Sequence, residues 1–404
     1  MLKIEDFRKF IDESTISRIH ERARNLAGKK ILMVNSTNRG GGVAEILNSL
    51  VPLLNSLGVH VEWKVITGEP KFFNVTKKLH NALQGQAEKF SEEEKQIYLE
   101  TNKTFAMSCD FSPYDLVVIH DPQPLPLIKF MNPSRPRIFQ LHIDITSPDQ
   151  EAWELASPFM SKYHQMVLSS DDFLKKDLGV PQRVFPPAID PLSEKNRELS
   201  PAATLASLVK AGISVKKPII AQVSRFDRWK DQLGVVKIFE LVRARIDCEL
   251  VLLGDFASDD PEGQTVYDEL AAAADKSHFR HDIKILLVQD AVLTNALQKA
   301  ARVIIQKSIR EGFGLTVTEA LFKQTPVVGS NTGGIKLQIL DGRNGYLNDP
   351  LDHAGFARSI VKIIRDENLR SELGRIGRRH VIENFLMPRL VLNWLELFAE
   401  HLNK

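Results

Sequence analysis

The chain has 404 residues, with 53 Lys and Arg against 51 Asp and Glu and a formal net charge of +2. That length exceeds one ordinary core and points to two domains, and a near-neutral balance without a basic block argues against nucleic acid or an anionic membrane surface as partner. The charged opening MLKIEDFRKF is no signal peptide, no apolar run approaches the ~20 residues of a membrane span, and Cys109 and Cys248 lie far apart, which excludes a structural zinc site and suits a reducing cytoplasm.

Residues 5–27 read as one or two polar-faced helices ending near Gly28. Residues 30–34 are the first strand and open into NSTNRGGGVAE at 35–45. Val43, Ile46, Leu47, Leu50, Leu54 and Leu57 then recur at helical spacing up to Gly58, and residues 59–66 alternate as a second strand. Strand, glycine loop, amphipathic helix and strand make a βαβ unit. Further strands follow at 115–120 and 137–142, and around 185–202 the periodicity lapses into a linker rich in Pro, Ser, Glu and Asn. Beyond it a second alternation places strands at 218–224, 249–254, 283–288, 303–306 and 326–329, with helices between. Two successive doubly wound parallel α/β domains are the economical reading, at 1–195 and 196–385, with a terminal helix from Pro388 (386–404) packing back across them.

Residues 311–335, EGFGLTVTEALFKQTPVVGSNTGGI, are where chemistry concentrates. A buried strand runs into Glu311-Gly312-Phe313-Gly314, and a short helix from Leu315 and Thr316 follows to Lys323. Free backbone N–H groups and a positive dipole end at a strand's edge form an anion site. Glu311 and Glu319 stand eight positions apart, a reach of at most ~12 Å along a helix. A sugar nucleotide is about that long, so one carboxylate could hold the sugar and the other the ribose. The same spacing would equally serve a helix-capping Glu311 and a solvated Glu319. Arg225 and Lys230, in SRFDRWKD directly after a strand, could neutralise a leaving diphosphate, or could be a solvated charge cluster.

In the first half, Gly40, Gly41 and Gly42 could cradle a phosphate, although Glu45 stands where a dinucleotide fingerprint needs its third glycine. Glu62 lies where a ribose-binding acid would be, so a nicotinamide enzyme is a weak alternative. His142-Ile-Asp144 and His120-Asp121-Pro-Gln123-Pro end successive strands, and the two histidines converge on a polar pocket. There is no HExxH, CxxC or GxSxG, which disfavours metal ligation and a nucleophilic triad.

SRFDRWKD, EGFGLTVTEA and the following TGGI resemble the donor-site motifs of the retaining, glycogen-synthase-like family-4 glycosyltransferases of GT-B fold. VNSTNRGGGVAEILNSLVPLL, FFNVTKKLHNALQG, HDPQP, HIDITSP and PPAIDPLSEKN extend the resemblance, over about four-fifths of the chain, to the trehalose glycosyltransferring synthases. That resemblance implies two Rossmann-like domains facing a cleft, and transfer of glucose from a nucleoside-diphosphate glucose such as UDP- or ADP-glucose to free glucose. It implies Glu311 on the donor sugar, Glu319 on the ribose, and Arg225 and Lys230 on the diphosphate. Gly41, Gly42, Gly312, Phe313, Gly314, Leu315 and Thr316 would complete the donor site, and His142 would sit beside the transferred sugar. Asn35, Asp121, Gln123 and Asp144 would shape the acceptor side. No metal or other cofactor is required by this chemistry, and a homodimer stays open. A trehalose phosphorylase, another hexosyltransferase of the same fold, or a non-catalytic sugar-nucleotide sensor would share the donor motifs.

Overall fold

Six short apolar runs of the first half pair side by side into one wholly parallel sheet. They are β1 (Lys30–Asn35), β2 (His60–Val65), β3 (Leu116–His120), β4 (Arg137–Leu141), β5 (Gln165–Leu168) and β6 (Gln182–Val184). Their spatial order is β2-β1-β3-β4-β5-β6. Helices covering both faces explain why central strands are continuous rather than alternating apolar runs: every residue of β3 and β4 is buried. The helices are α1 (Glu13–Arg24), α2 (Gly42–Ser56), α3 (Pro70–Leu83), α4 (Glu92–Ser108) and α5 (Gln150–Met160).

The second half repeats the plan with β7 (Ile219–Val223), β8 (Glu249–Gly254), β9 (Ile283–Leu287), β10 (Val303–Gln306), β11 (Val327–Ser330) and β12 (Gly345–Asn348), ordered β12-β11-β10-β7-β8-β9. Its helices are α6 (Pro201–Lys210), α7 (Gln232–Arg243), α8 (Gly263–Lys276), α9 (Ala291–Ala300), α10 (Leu315–Phe322), α11 (Ile335–Gln338), α12 (His353–Arg365) and α13 (Glu367–Asn384). The last helix, α14 (Met387–Leu402), belongs with the first sheet and packs on α1 and α2. This computed structural model describes residues 2–256 and 262–403, and its contacts separate a first unit, up to Ala188 and again from Met387, from a second, Ile189–Leu386. Among the described residues no helix is long and apolar enough to cross a membrane.

Why α14 returns is legible in its side chains. Leu390, Val391, Trp394, Leu395 and Phe398 are buried, with Trp394 edge-on to Phe185 at 5.4 Å between ring centroids. Arg389, half-buried beside them, donates to the carbonyls of Pro186 and Pro187, and the desolvation of its guanidinium lowers its pKa to about 10. Arg183 and Glu400 pair at 2.6 Å nearby.

Three strands lie outside the sequence expectation. β5 and β6 are only 4 and 3 residues long, and β12 is the edge strand Gly-Tyr-Leu-Asn. Runs so short, or so poor in β-branched residues, take strand form because a neighbouring strand supplies their hydrogen bonds. His142 lies just beyond β4 rather than within it.

In each sheet the chain builds outward on one side and then restarts on the other. The reversal falls between β1 and β3 in the first sheet and between β7 and β10 in the second. At such a switch point the loops leaving the two strands diverge to opposite faces, opening a crevice at their carboxyl ends. Arg225 and Lys230 leave β7, and Glu311 leaves β10. The glycines at 40–42 leave β1, and His120 ends β3.

Candidate active site

Glu311 is the best-defined group of the second unit. It is buried, and its Oε2 accepts from Lys230 Nζ at 2.6 Å, Ser308 Oγ at 2.9 Å and Gln306 Nε2 at 3.0 Å. All three bonds fall on one oxygen, and among the described residues no donor reaches Oε1. The helix-capping alternative is thereby set aside: Gly314 stands at the N-cap of α10, with φ +84°, and no side chain caps it. Thr316 Oγ1 donates to the Val223 carbonyl at 3.0 Å and ties the start of α10 to the end of β7. Phe313 is buried and meets Phe385 edge-on at 5.6 Å.

The glycine pair Gly333-Gly334 is what allows this turn to close. A Cβ on Gly333 would stand 1.7 Å from the Glu311 carbonyl oxygen, and one on Gly334 would stand 2.5 Å from Phe313 Cα. Backbone therefore lies directly on backbone, and Gly334 N–H donates to the Glu311 carbonyl at 3.2 Å.

Lys230 sits at the end of a single turn, Arg228–Lys230, whose peptides are held on both sides. Gln222 Nε2 donates to the Lys230 carbonyl at 3.0 Å, and Ile309 N–H to that of Trp229 at 2.8 Å. Arg225 is one-third exposed, with its guanidinium 3.8 Å from Asp227. The solvated-cluster reading fails for Lys230 and holds only in part for Arg225.

Glu319 is not a solvated surface residue either. It has no exposed surface, its Oε1 lies 2.7 Å from Lys195 Nζ, and Gln298 Nε2 donates to Oε2 at 2.7 Å. Burial pushes its carboxyl up, but Lys195 and Lys323 outweigh that and hold it below the usual range. Glu311 and Glu319 thus occupy two separate polar networks, with Lys195 between Glu319 and solvent.

In the first unit, the expected convergence of histidines is present. His120 Nδ1 and His142 Nε2 lie 3.2 Å apart, and the His142 N–H donates to Asp121 Oδ1 at 2.8 Å. Asp121 adopts φ +66° to reach it. Burial lowers both imidazoles, His142 to about 3 and His120 well below the usual range with His142 adding to the effect. Both are therefore neutral. His120 Nε2 and Gln123 Oε1 are buried without a hydrogen-bond partner among the described residues.

Asn35 and Asp144 are more committed. Asn35 Oδ1 accepts from Trp63 Nε1 at 2.8 Å and its Nδ2 donates to the Thr37 carbonyl at 2.6 Å. Asp144 Oδ1 accepts from Thr146 N–H at 2.9 Å and Thr146 Oγ1 at 2.6 Å. Both are 2% exposed, so they shape the strand ends of the sheet from beneath. Gly41 is the N-cap of α2 with φ +81°, Gly42 opens that helix, and the space where a Gly41 Cβ would point is empty to 4 Å. Of the two adjacent lysines of α3, Lys78 donates to Glu94 at 2.8 Å and Lys77 is buried. Among the described residues no group of three or more His, Cys, Asp or Glu could hold a metal ion.

Sequence reasoning passed over Gln306, Lys307, Ser308, Lys195 and Gln298. A signal was present for the first three: QKS continues an apolar strand without a break and puts three polar groups before the glycine turn. Lys195 lies in PPAIDPLSEKN, a motif of the resemblance that gave it no role, and no motif held Gln298; they lie 124 and 21 positions from Glu319 (319 − 195 and 319 − 298).

Comparison with known proteins bears on family and fold. The family described as "Trehalose synthase, N-terminal domain" matches residues 33–175, and that described as "Glycosyl transferases group 1" matches 206–380. A trehalose synthase of Thermococcus litoralis is 41% identical over 401 residues, spanning 98% of this chain and 96% of the relative. A trehalose phosphorylase of Pleurotus pulmonarius is 30% identical over 98% of this chain but 60% of its own length. The solved structure of an alpha,alpha-trehalose-phosphate synthase (UDP-forming) from Burkholderia vietnamiensis superposes with a TM-score of 0.75 over 93% of this chain and 99% of that one. At 16% identity that likeness speaks for the fold alone.

Proposed function

The chain belongs to the trehalose synthase family of GT-B glycosyltransferases, and from that premise we propose that it moves glucose from a nucleoside-diphosphate glucose to free glucose, giving α,α-trehalose with retention at the anomeric carbon. The observation that carries the donor half is the Lys230–Glu311 pair, 2.6 Å apart on loops from the two strands flanking the second sheet's switch point. Glu311 is oriented by three donors on Oε2 and keeps Oε1 for a sugar hydroxyl. Lys230 and Arg225 face the leaving diphosphate as fixed positive charge, and the first turn of α10 adds N–H groups. Glu319 is fully covered, so it takes the ribose only once the Lys195 ammonium has moved off its carboxylate.

The bond from the anomeric carbon to the phosphate oxygen breaks, and its electron pair leaves with the diphosphate. The acceptor oxygen bonds to the same face of the sugar, and its proton passes to the departing phosphate. No carboxylate nucleophile is required, in contrast to retaining glycosidases. Burial keeps His142 and His120 neutral, so the strand ends of the first unit present no imidazolium. The cations already supply the charge neutralisation that a metal would otherwise provide. Free glucose is preferred to glucose 6-phosphate because the strand-end groups Asp121, Gln123 and Asp144 are neutral or acidic.

The test is a panel of UDP-, ADP- and GDP-glucose, each with glucose and with glucose 6-phosphate, read by product analysis. A non-reducing disaccharide from free glucose is expected. A preference for the phosphorylated sugar, or a product with a reducing end, overturns the acceptor assignment. The similarity to a trehalose phosphorylase favours a second reading, phosphorolysis of trehalose, which glucose 1-phosphate formation from trehalose and phosphate would reveal.

A further inference from the structure

We propose that Lys307 is a positioning residue for Lys230, a buried cation that fixes, through Asp231, the turn from which Lys230 works. This rests on the reading of Lys230 given above as a grip on the leaving diphosphate. Lys307 directly follows β10, and it has no exposed surface. An ammonium so far from water is costly unless an opposite charge meets it. Its Nζ contacts Oδ2 of Asp231, the residue next to Lys230 in the chain.

Asp231 has two further tasks. Its backbone is left-handed at φ 44°, one of three non-glycine residues with positive φ among those described. Its Oδ1 accepts from Gly234 N–H at 3.0 Å and caps α7. Asp231 therefore ends the turn that carries Lys230 and begins the next helix. A Cβ on Gly234 would stand 2.5 Å from Asp231 Oδ2 and 2.7 Å from Lys307 Nζ, so only glycine lets the ion pair lie against α7.

The neighbours of Lys307 complete the arrangement. Gln306 and Ser308 both donate to Glu311 Oε2, the oxygen that Lys230 also reaches. One stretch of three residues thus holds both members of the Lys230–Glu311 pair, the carboxylate directly and the ammonium by way of Asp231. With an uncharged side chain at 307, the Asp231 carboxylate loses its counter-ion and turns towards solvent, and the left-handed turn loses its anchor. Lys230 then keeps its charge and loses its place.

The experiment compares binding of a nucleoside diphosphate with that of its monophosphate, UDP against UMP and ADP against AMP, by calorimetry. Only the diphosphate offers the group that Lys230 holds. In Lys307→Met the diphosphate advantage should fall about tenfold, the worth of one charge-assisted contact, while monophosphate binding stays within about twofold. In a Lys230→Ala background the same substitution should cost the diphosphate nothing further. Equal loss for both nucleotides, or a full additional loss in the Lys230→Ala background, overturns the inference. Should Lys307→Met fail to fold, Lys307→Met with Asp231→Asn removes both charges of the pair, and against Asp231→Asn alone it should lower the diphosphate advantage no further, a further tenfold fall overturning the inference. A Lys230→Ala protein with the wild-type diphosphate advantage would instead remove Lys230 from the donor site, and the inference with it.

Discussion

Removing the Lys230 ammonium separates catalysis from stability in a way the geometry quantifies. In Lys230→Ala, Glu311 keeps two of its three donors, Gln306 and Ser308, but loses its cation. Breaking a buried ion pair from one side costs ~3–5 kcal/mol when the remaining charge is stranded. Two surviving hydrogen bonds, each worth ~1.5–3 kcal/mol to a charged group, put this case at or below the lower end, about 2–3 kcal/mol. The transition state loses a preorganised positive charge where the leaving diphosphate develops its own, which typically costs ~3–4 kcal/mol, or 10²–10³ in kcat. Glu311→Gln added to Lys230→Ala removes the stranded charge, so the melting temperature should recover while turnover does not. The assay is steady-state turnover with saturating donor, normalised to folded protein, alongside thermal unfolding of both variants. Turnover of Lys230→Ala within threefold of the parent, or turnover that recovers together with stability in the double variant, would refute the reasoning.

Three further outcomes follow from single features. The His120–His142 pair is neutral when folded, so at low pH the unfolded chain binds more protons; for His142 stability is lost as pH falls from about 6.5 towards about 3, ~2 kcal/mol by pH 5, and His120 acts in the same direction; urea unfolding at pH 7.5 and pH 5 measures it, and His120→Gln with His142→Gln should flatten the difference. Gly333→Ala drives a methyl into the Glu311 carbonyl at 1.7 Å and should destabilise by ~3 kcal/mol or more, whereas Gly28→Ala, left-handed but with open space around it, should cost only ~1 kcal/mol in thermal unfolding. Turnover should persist in excess chelator, and a complete loss that magnesium reverses would show that Arg225 and Lys230 do not suffice for the leaving group.

The fold was largely legible because a parallel sheet buried on both faces writes itself as apolar runs. KILMVN, LVVIH, ELVLLG and VIIQ each became a strand within a residue or so of expectation. β5, β6 and β12 were not legible, since a strand of 3 or 4 residues borrows its conformation from its neighbour. The candidate site divides in the same way. Lys230, Glu311 and Gly314 could be found because a strand end and a glycine turn are local patterns. The partners of Glu319 could not, because Lys195 reaches it across 124 positions (319 − 195) and Gln298 across 21 (319 − 298).

The sequence by itself determined the long apolar strands and the amphipathic helices between them, the twofold repetition of the α/β plan, and the family to which the donor motifs belong. It did so because hydrophobic period and glycine placement act over a few residues and leave their mark locally. Only the tertiary structure decided which charges face one another. Glu311 meets Lys230 across 81 residues because β7 and β10 lie side by side at the sheet's reversal, and Lys307 meets Asp231 for the same reason. Strand order is set by how the whole core is buried, and no short stretch of residues carries it.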